Sequence, residues 1–431
     1  MRTTLWIVPT ALVIAAALLF AATYVVDRAA DGGAITLPGF VTSGSPDAAR
    51  QILIAIAAAI ITVAGVLFSI TILVLQLASQ QFGPRMLRNF IRDFGTQFSL
   101  GAFVATFVYS VLALGSVESA PARDFVPHVS VTVALVLTVV DLGIVIYFIH
   151  HVATSIQLTS VVSGIAGDFR NTLANVVADR AASPGVATDG VDPADLSDRV
   201  LTDGVPVAAR ASGFIQAAGH RQLIGLAVST SSVIRFVRRP GHFVVEGQTV
   251  AFVIPAEAAA EVADALGRAH IVGANRTLTQ DVGFGVDQLV EVAIRALSPA
   301  VNDTFTALNC IDWLGDCLCH AAAARLPDGI HHDDYGHIRI IEPVITMERL
   351  VKGATDKIRQ AGSAMPAVLI RQLENLGKLR RATSTPDLGS VIEHHARLIV
   401  RAGDETVREE ADRRDIRAAF EVAMSTAILG S

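Results

Sequence analysis

The sequence is poor in lysine and has no excess of basic residues. Of its 34 basic residues only Lys352, Lys357 and Lys378 are lysines. Lys378 follows Gly377 but precedes Leu379, so the Gly-Lys-Ser/Thr end of a phosphate-binding loop is missing. The net charge of −6 lacks the basic excess of a nucleic-acid-binding protein. These absences exclude P-loop chemistry and argue against nucleic acid as a partner.

Cysteine, charged and aromatic residues are also scarce. The three cysteines, Cys310, Cys317 and Cys319, lie close together and cannot form a disulfide framework, which indicates a reducing compartment. Charged residues make up 17% and aromatic residues 6% of the chain, whereas 52% is hydrophobic. This balance is too apolar for an ordinary soluble protein of 431 residues. We therefore predict an integral membrane protein.

Four long apolar segments are predicted to cross the membrane, since a spanning helix needs about 20 apolar residues. The segments are Leu5–Val26, Gln51–Pro84, Phe94–Val117 and Phe125–His151. The first is longer than the apolar region of a signal peptide, so we expect it to be retained. The sequence thus predicts a four-span transmembrane domain over residues 1–154, embedded in the lipid bilayer.

The arginines of the short loops predict the orientation. Arg85, Arg88 and Arg92 lie between the second and third spans, and the positive-inside rule places that loop in the cytosol. The N-terminus is then cytosolic, and an even number of spans places the C-terminus there as well. In a bacterium this corresponds to the inner (cytoplasmic) membrane.

The second span carries small and polar residues on one helical face. They are Thr62, Gly65, Ser69, Gln76 and Gln80, spaced by three, four and seven residues. Such a stripe can line a water-filled path, or it can let helices approach and hydrogen-bond within lipid. Both interpretations remain open from the sequence.

The loop after the second span has the pattern of an interfacial amphipathic helix near residues 82–94, where apolar residues alternate with Arg85, Arg88 and Arg92. In a symmetric homo-oligomer these arginines would surround a cytosolic mouth and favour anions. Gly101 and Ala105 give the third span a face on which a second copy can approach closely.

Asp141 is an acid in the middle of the fourth span. An ionised carboxylate at that depth costs a few kcal/mol unless it is paired or faces water, and no span contains Lys or Arg. We expect Asp141 to be protonated, hydrogen-bonded to a group such as Thr106, Tyr109 or Ser110, or exposed to a cavity. It is therefore either a functional acid or a protonated residue inside the bundle.

The cytosolic region is predicted to be α+β. We expect a helical connector and linker over residues 155–200, a small β-rich module over 201–275 and a mainly helical domain over 276–431 that ends in a helical bundle. Gly241 and Gly247 flank a Val-Val pair as in a biotinyl/lipoyl-type barrel-sandwich half-repeat, but the attachment lysine of such carriers is absent. The predicted fold class is thus membrane α-helical, with four transmembrane helices, plus a cytosolic α+β domain.

The most distinctive segments are residues 276–289, 295–307 and 76–85. The first two contain a set of polar and turn residues: Arg276, Asp281, Arg295, Ser298, Pro299, Asn302 and Asp303. Together with residues 76–85, they resemble the signature of the bacterial predicted-membrane-protein family called domain of unknown function 2254. One departure is Thr304, where that family usually has proline after Asn-Asp. The resemblance implies architecture and membrane location, and no activity.

Neither catalysis nor metal binding is predicted. Ser298 and Asp303 have no sequence-local histidine to act as a base, and helix capping accounts for the same residues. Two groups offer metal-ligating atoms without the spacing of a dependable zinc site. They are Cys317, Cys319 and His320, and the run His331, His332, Asp333 and Asp334. We expect no enzyme activity, no metal and no cofactor.

Two functions remain. The first is an oligomeric inner-membrane ion channel or ion-translocating protein, with a preference for anions and a cytosolic assembly or gating domain. The alternative is a membrane-anchored sensor or scaffold whose cytosolic domain binds a ligand or a protein. The expected partners are the lipid bilayer, further copies of the chain and a small ion or ligand.

Overall fold

The chain forms two compact units, residues 1–160 and 161–431. The computed structural model describes residues 6–36, 38, 41, 44–82, 93–118, 125–155, 158–181, 190–383 and 385–425. Each unit is described below by itself.

The described part of the first unit contains four long helices. They are α1 (Ile7–Asp31), α2 (Pro46–Phe82), α3 (Phe94–Gly115) and α4 (His128–Ser155). All four are long and apolar enough to cross a membrane, which confirms the four predicted spans. With 37 residues, α2 is about 55 Å long and exceeds a bilayer core of roughly 30 Å.

Helix α3 is the most buried of these four helices and packs against the other three. Tyr109 of α3, Leu53 of α2 and Phe148 of α4 belong to the common apolar core. Gly101 of α3 allows close approach of α1, because a Cβ atom there would lie 2.8 Å from the Cα atom of Pro9. The face predicted to receive a second copy is thus covered at Gly101 by the chain's own first helix.

A buried polar cluster joins α1 to the start of α4. The Asp27 carboxylate accepts hydrogen bonds from the backbone N–H groups of Val129 (2.7 Å) and Ser130 (3.0 Å) and from the Ser130 hydroxyl (2.7 Å). Next to it, the hydroxyls of Thr23 and Tyr109 are 2.9 Å apart. Asp27 therefore caps α4 from another helix and satisfies backbone donors that have no partner within α4.

The second unit is mostly helical. Its helices are α5 (Leu158–Ala181, which begins just before the unit boundary), α6 (Pro193–Asp203), α7 (His220–Ser229), α8 (Ala259–Ala269), α9 (Val282–Ala296), α10 (Thr304–Ala324), α11 (Met347–Ala361), α12 (Pro366–Ala382), α13 (Pro386–Thr406) and α14 (Glu410–Met424). The last four, α11–α14, lie in the mainly helical region predicted for the C-terminal end of the chain.

The described residues of this unit include eight short strands in two sheets. They are β1 (Val205–Ala208), β2 (Gly213–Ala218), β3 (Val233–Phe236), β4 (Phe243–Val244), β5 (Thr249–Ile254), β6 (His270–Gly273), β7 (Ile330–His332) and β8 (Ile338–Ile341). The larger sheet has the order β1-β5-β3-β8-β7, and the smaller one has the order β4-β2-β6.

The larger sheet is assembled from distant parts of the chain. Strand β8 pairs with β3 in parallel, with Ile234 opposite Ile340, whereas the other pairs in this sheet are antiparallel. The buried side chains of Ile234, Phe236 and Val253 belong to a core shared with helices α7 and α8. Strands from residues 330–341 thus complete a sheet that begins in the segment 201–275. The barrel-sandwich likeness and a domain boundary at residue 275 remain predictions.

Helix α9 lies at the centre of the helical part and is buried over most of its surface. It packs against α10 and α11, and α11–α14 pack against one another. Gly285 brings α9 close to α5, because a Cβ atom there would lie 3.0 Å from the Cβ atom of Phe169. The segment that carries the distinctive sequence motif is therefore an inner helix and its two flanking turns.

Candidate functional site

Three titratable side chains from separate elements meet in the second unit. His220 is the first residue of α7, His331 lies in β7, and Glu342 directly follows β8. The antiparallel β7–β8 hairpin places His331 and Glu342 together, and the parallel pairing of β8 with β3 brings in His220 from the helix that precedes β3. Among the described residues this is the one group of three His, Cys, Asp or Glu side chains that meets the geometry of a metal-ligand set.

The two imidazoles converge on one carboxylate. The Nε2 atom of His220 is 3.1 Å from Glu342, and that of His331 is 3.0 Å from Oε1 of Glu342. The two rings stack with centroids 4.3 Å apart. The three side chains are only 12–17% exposed. Burial opposes ionisation of Glu342, but hydrogen bonds and charge from His220 and His331 outweigh it and hold the pKa of Glu342 at about 2.

The backbone around Glu342 requires a glycine. The N–H group of Glu342 donates a hydrogen bond to the Gly329 carbonyl at 2.8 Å. Gly329 has φ +79°, and a Cβ atom there would lie 2.2 Å from the Glu342 carbonyl oxygen. Only glycine fits this close approach without strain. The turn before β7 is thus shaped to bring the strand against the backbone of Glu342.

A cavity of about 70 Å³ lies beside this triad. Its wall includes His220, His331, Glu342, Arg239, Gln280, Asp328 and the apolar side chains of Val176, Val282, Leu326, Val344 and Ile345. His220 and His331 also line an open groove that runs past α7. A mostly apolar cavity with a few convergent polar groups is the usual form of a small-ligand pocket.

The first half of the sequence motif forms one wall of this cavity. The Gln280 side chain accepts a hydrogen bond from the Ala218 N–H at 2.8 Å and donates one to the Ala218 carbonyl at 3.1 Å. Gln280 therefore continues the edge of strand β2 and fixes the backbone just before His220. The Gln280 amide therefore has a structural role. Through it, the motif positions the backbone segment that leads into His220.

Arg276 and Asp281 of the motif form a buried ion pair. Arg276 Nε donates to Asp281 at 2.7 Å, and its NH1 group donates to Asp287 at 2.5 Å. Asp281 is only 1% exposed, and Arg239 of the cavity wall lies 3.8 Å from it. Burial raises the pKa of Asp281, although Arg276 and Arg239 oppose that rise. This cluster anchors the turn that holds Arg239 at the cavity.

The turn at Gly241 is packed directly onto this ion pair. Gly241 has φ +91°, and a Cβ atom there would lie 2.1 Å from Oδ2 of Asp281. The neighbouring His242 is half-buried, and burial together with the positive charges of Arg239 and Arg238 lowers the pKa of its imidazole to about 4. Gly241, one of the two glycines that flank the Val-Val pair, thus leaves room for the carboxylate of Asp281.

The second half of the motif is a helix-to-helix turn. The Ser298 hydroxyl donates to the Arg295 carbonyl at 2.7 Å, and Asn302 has φ +50°. Asp303 caps α10 by accepting the Thr306 N–H at 3.0 Å, as predicted, so α10 begins at Thr304. None of Arg295, Ser298, Pro299, Asn302 and Asp303 lines the cavity. A proline fits the first helical position, so Thr304 is compatible with the same turn.

The predicted polar stripe of α2 lies on a face that the chain itself leaves uncovered. Thr62, Ser69 and Gln76 are exposed, whereas Leu67 on another side of the helix is buried. The hydroxyls of Thr62 and Ser69 donate to the carbonyls of residues 58 and 65 at 2.7 and 2.9 Å. The side chain of Gln80, the arginines Arg85, Arg88 and Arg92 and most of the expected interfacial helix at 82–94 lie outside the described residues.

Asp141 is buried inside the four-helix unit. Its side chain is hydrogen-bonded to Thr106 of α3, one of the partners expected from the sequence. Its Oδ2 atom has no hydrogen-bond partner within the described part of the chain. The position fits a carboxyl group that faces the bundle interior, and its role in function stays a prediction.

Most residues of the two groups that the sequence offered as metal ligands have other roles in the structure. Cys310 and Cys317 are buried, and burial raises the pKa of each thiol to about 12. Asp333 accepts hydrogen bonds from the Tyr335 and His337 N–H groups and from Arg339 Nε. Only His331 joins a cluster. His220 was missed because it lies 122 residues before Glu342, and Glu342 was missed because it lies 11 residues after His331, beyond the spacing of a short ligand motif.

Comparison with known proteins identifies relatives over most of the chain. The family model described as "Predicted membrane protein (DUF2254)" matches residues 2–378. Uncharacterized proteins of Mycobacterium bovis and Mycobacterium tuberculosis are each 31% identical over 383 residues, which cover 86% of this chain and 71% of the relative. No solved structure matches the chain. The chain therefore belongs to the DUF2254 family of predicted membrane proteins.

Proposed function

We propose that this protein is a membrane-anchored ligand-binding protein, in which the four helices hold the chain in the bilayer and the second unit binds a small polar ligand. The observation that carries the proposal is the convergence of His220, His331 and Glu342 on the wall of one cavity. This is the sensor alternative of the sequence analysis, placed at a defined site.

The composition of the cavity wall favours ligand binding over a purely structural role. Burying polar groups is costly unless they are paired, so interiors that need only stability are filled with apolar side chains. Here two imidazoles, a carboxylate and Arg239 border a space that apolar residues border on its other sides. Apolar walls exclude water, and the few polar groups select a ligand by charge and geometry.

The proposal also includes the orientation predicted from the arginines, with both termini in the cytosol and the second unit on the cytosolic side. A reporter fused after Ser431 is expected to be active in the cytosol, and one inserted near Gly44 outside it. The same compartment for both reporters would contradict the orientation without affecting ligand binding.

Ligand binding is tested on the full chain in detergent by thermal unfolding with four separate probes: zinc chloride, magnesium chloride, sodium phosphate and a mixture of free amino acids. A ligand at 100 times its Kd stabilises the native state by about 2.7 kcal/mol, so a bound probe raises Tm by several degrees. We expect at least one saturable increase.

The matched control separates this pocket from other surfaces. Val344→Trp fills the cavity, whereas Val245→Trp makes the same change at an exposed position. The increase in Tm should be lost in Val344→Trp and kept in Val245→Trp. If no probe raises Tm, or if both variants respond like the parent chain, the proposed function is contradicted.

A second candidate function, a homo-oligomeric ion pathway, is favoured by the uncovered stripe of α2. Thr62, Ser69 and Gln76 all lie on the face that the chain itself leaves exposed. In a symmetric assembly that face would border a central path, and the arginines at 85, 88 and 92 would surround its cytosolic mouth.

This pathway is tested by Ser69→Cys and Leu67→Cys, labelled in membranes with a water-soluble thiol reagent. The unsubstituted chain measures the background from its three native cysteines. If the stripe faces water, the reagent should label the cysteine at position 69 but not the one at position 67. The reconstituted protein should then also conduct anions across vesicle membranes. Equal protection at both positions without flux would leave the stripe as a lipid-facing or helix-packing surface.

A further inference from the structure

We propose that His220, His331 and Glu342 bind one divalent transition-metal ion of the zinc type. The inference rests on the proposed function, because it names the ligand class of the same pocket. It departs from the expectation drawn from the sequence, in which no metal site was predicted.

The spacing of the three side chains fits such an ion. One ring nitrogen of each histidine and a carboxylate oxygen of Glu342 all lie within 4.8 Å of one another. Zinc binds nitrogen and carboxylate oxygen at about 2.0–2.2 Å, so two ligand atoms of a tetrahedral site are roughly 3.3–3.5 Å apart. The nitrogen-to-oxygen distances of 3.1 and 3.0 Å are within a few tenths of an ångström of that value.

The chemistry of the donors selects the class of ion. Imidazole nitrogen is a good ligand for zinc, nickel and cobalt, whereas magnesium and calcium prefer sites made of oxygen alone. A carboxylate between the two imidazoles adds the negative charge that favours a cation over an anion. A set of two histidines and one glutamate also leaves a fourth coordination position open, as in zinc sites that bind water or an exogenous ligand.

The surroundings provide both rigidity and space for that fourth position. His331 and Glu342 are held by the β7–β8 hairpin, and His220 is held at the start of α7. The cavity of about 70 Å³ beside them has room for a water molecule, which takes about 30 Å³ in the liquid. Gln280 is not a fourth ligand, since both ends of its amide are bonded to Ala218.

Metal binding is tested on the full chain, purified in detergent and stripped with a chelator, by equilibrium dialysis against zinc chloride and against magnesium chloride. We expect one zinc ion per chain and no stoichiometric magnesium. Replacing zinc by cobalt should give the visible absorption of a tetrahedral nitrogen-oxygen site, a signal that needs no knowledge of activity.

Single substitutions assign the ligands. His331→Ala, His220→Ala and Glu342→Gln should each weaken zinc binding at least tenfold and remove the cobalt spectrum. His332→Ala is the matched control, because this adjacent histidine lies outside the cluster and does not line the cavity. Cys319→Ala tests whether the partly exposed thiol binds zinc instead. The Tm of each metal-free variant shows whether it is folded.

The outcomes separate this inference from the proposed function. Zinc binding that survives His331→Ala and His220→Ala in folded protein overturns the metal site. Absence of stoichiometric zinc, together with a Val344→Trp-sensitive response to phosphate or amino acids, also overturns it but leaves the ligand-binding function intact. Failure of all probes contradicts both.

Discussion

The two units stabilise their buried acids in different ways. In the membrane unit, Asp27 is bound by backbone N–H groups at the start of α4 and by the hydroxyl of Ser130. In the second unit, Asp281 is bound by Arg276, and Asp333 is bound by Arg339 in addition to two backbone N–H groups. An arginine within a membrane-spanning helix is energetically costly, whereas a helix N-terminus supplies partial positive charge without any side chain.

This difference predicts which groups lose a hydrogen-bond partner when each acid is removed. Loss of Asp27 would free backbone donors at a helix end, where water or a neighbouring carbonyl can replace the lost partner. Loss of Asp281 would leave the Arg276 guanidinium paired only with the more exposed Asp287, and it would remove the buried carboxylate that lies near Arg239. A buried charge that is poorly compensated costs more than a lost helix cap. The predictions below test this contrast.

The largest effect is expected for Asp281→Ala. Removing one partner of a buried ion pair typically costs 3–5 kcal/mol, so Tm should fall by about ten degrees. Asp287→Ala is the matched control, since Asp287 bonds the same Arg276 but is 37% exposed, and it should cost about 1 kcal/mol or less. Equal losses of Tm in the two variants would mean that burial of the pair is not what stabilises this turn.

Gly241→Ala should be the next most harmful change. The added Cβ atom would overlap Oδ2 of Asp281, and the backbone at φ +91° is strained for alanine. We expect a loss of about 3 kcal/mol in the free energy of unfolding. Gly247→Ala isolates the backbone contribution, because φ is +82° and nothing lies within 4 Å of the added atom. Gly247→Ala should lower the free energy of unfolding by about 1–2 kcal/mol. A larger loss for Gly247→Ala than for Gly241→Ala would contradict the packing argument.

Asp27→Ala should have an intermediate effect on the membrane unit. Loss of a helix cap costs about 1–2 kcal/mol, so Tm in nanodiscs should fall by a few degrees. Asp47→Ala changes an 84% exposed acid at the start of α2 and should be nearly neutral. If Asp27→Ala lowered Tm as much as Asp281→Ala, the contrast between the two units would fail.

The smallest effect is a pH dependence from His242. Its pKa is lowered to about 4 in the native state from an ordinary value of 6.5, because of burial and the nearby arginines. Between these values the unfolded chain binds a proton that the native protein does not, so stability falls as pH is lowered from 6.5 towards 4. At pH 5 the loss is about 1–2 kcal/mol, after allowance for partial exposure.

His242→Asn should remove that part of the pH dependence. We expect the difference in Tm between pH 7 and pH 5 to be a few degrees smaller in the variant than in the parent chain. An unchanged difference would show that the arginines around Arg239 do not keep His242 neutral.

The membrane spans and local turns were predictable because their causes are local. An apolar run of about 20 residues has few alternatives to a spanning helix, and Asp303 before Thr304 is a capping pattern that needs only four consecutive residues. The prediction of a close-approach face for a second copy did not anticipate α1, because Gly101 does not specify which helix will fill its groove.

The candidate site could not be predicted from the sequence, because its residues come from distant parts of the chain. His331 drew attention as part of a His-His-Asp-Asp run, yet its neighbours His332 and Asp333 lie outside the triad. Its actual partners, His220 and Glu342, come from a helix start and a strand end with no ligand spacing between them. Arg276 and Asp281 stood out as a motif, but the packing of Asp281 against Gly241 depends on a turn 40 residues earlier in the chain.

The sequence by itself determined that the chain has four long apolar helices, a capped turn at Asp303 and membership of a membrane-protein family. Each of these follows from composition or from residues within one or two turns of helix. Only the tertiary structure decided that β8 pairs with β3, and this pairing brings His331 and Glu342 to His220. Which distant strands pair depends on the packing of the whole core, and no short segment of the sequence specifies it.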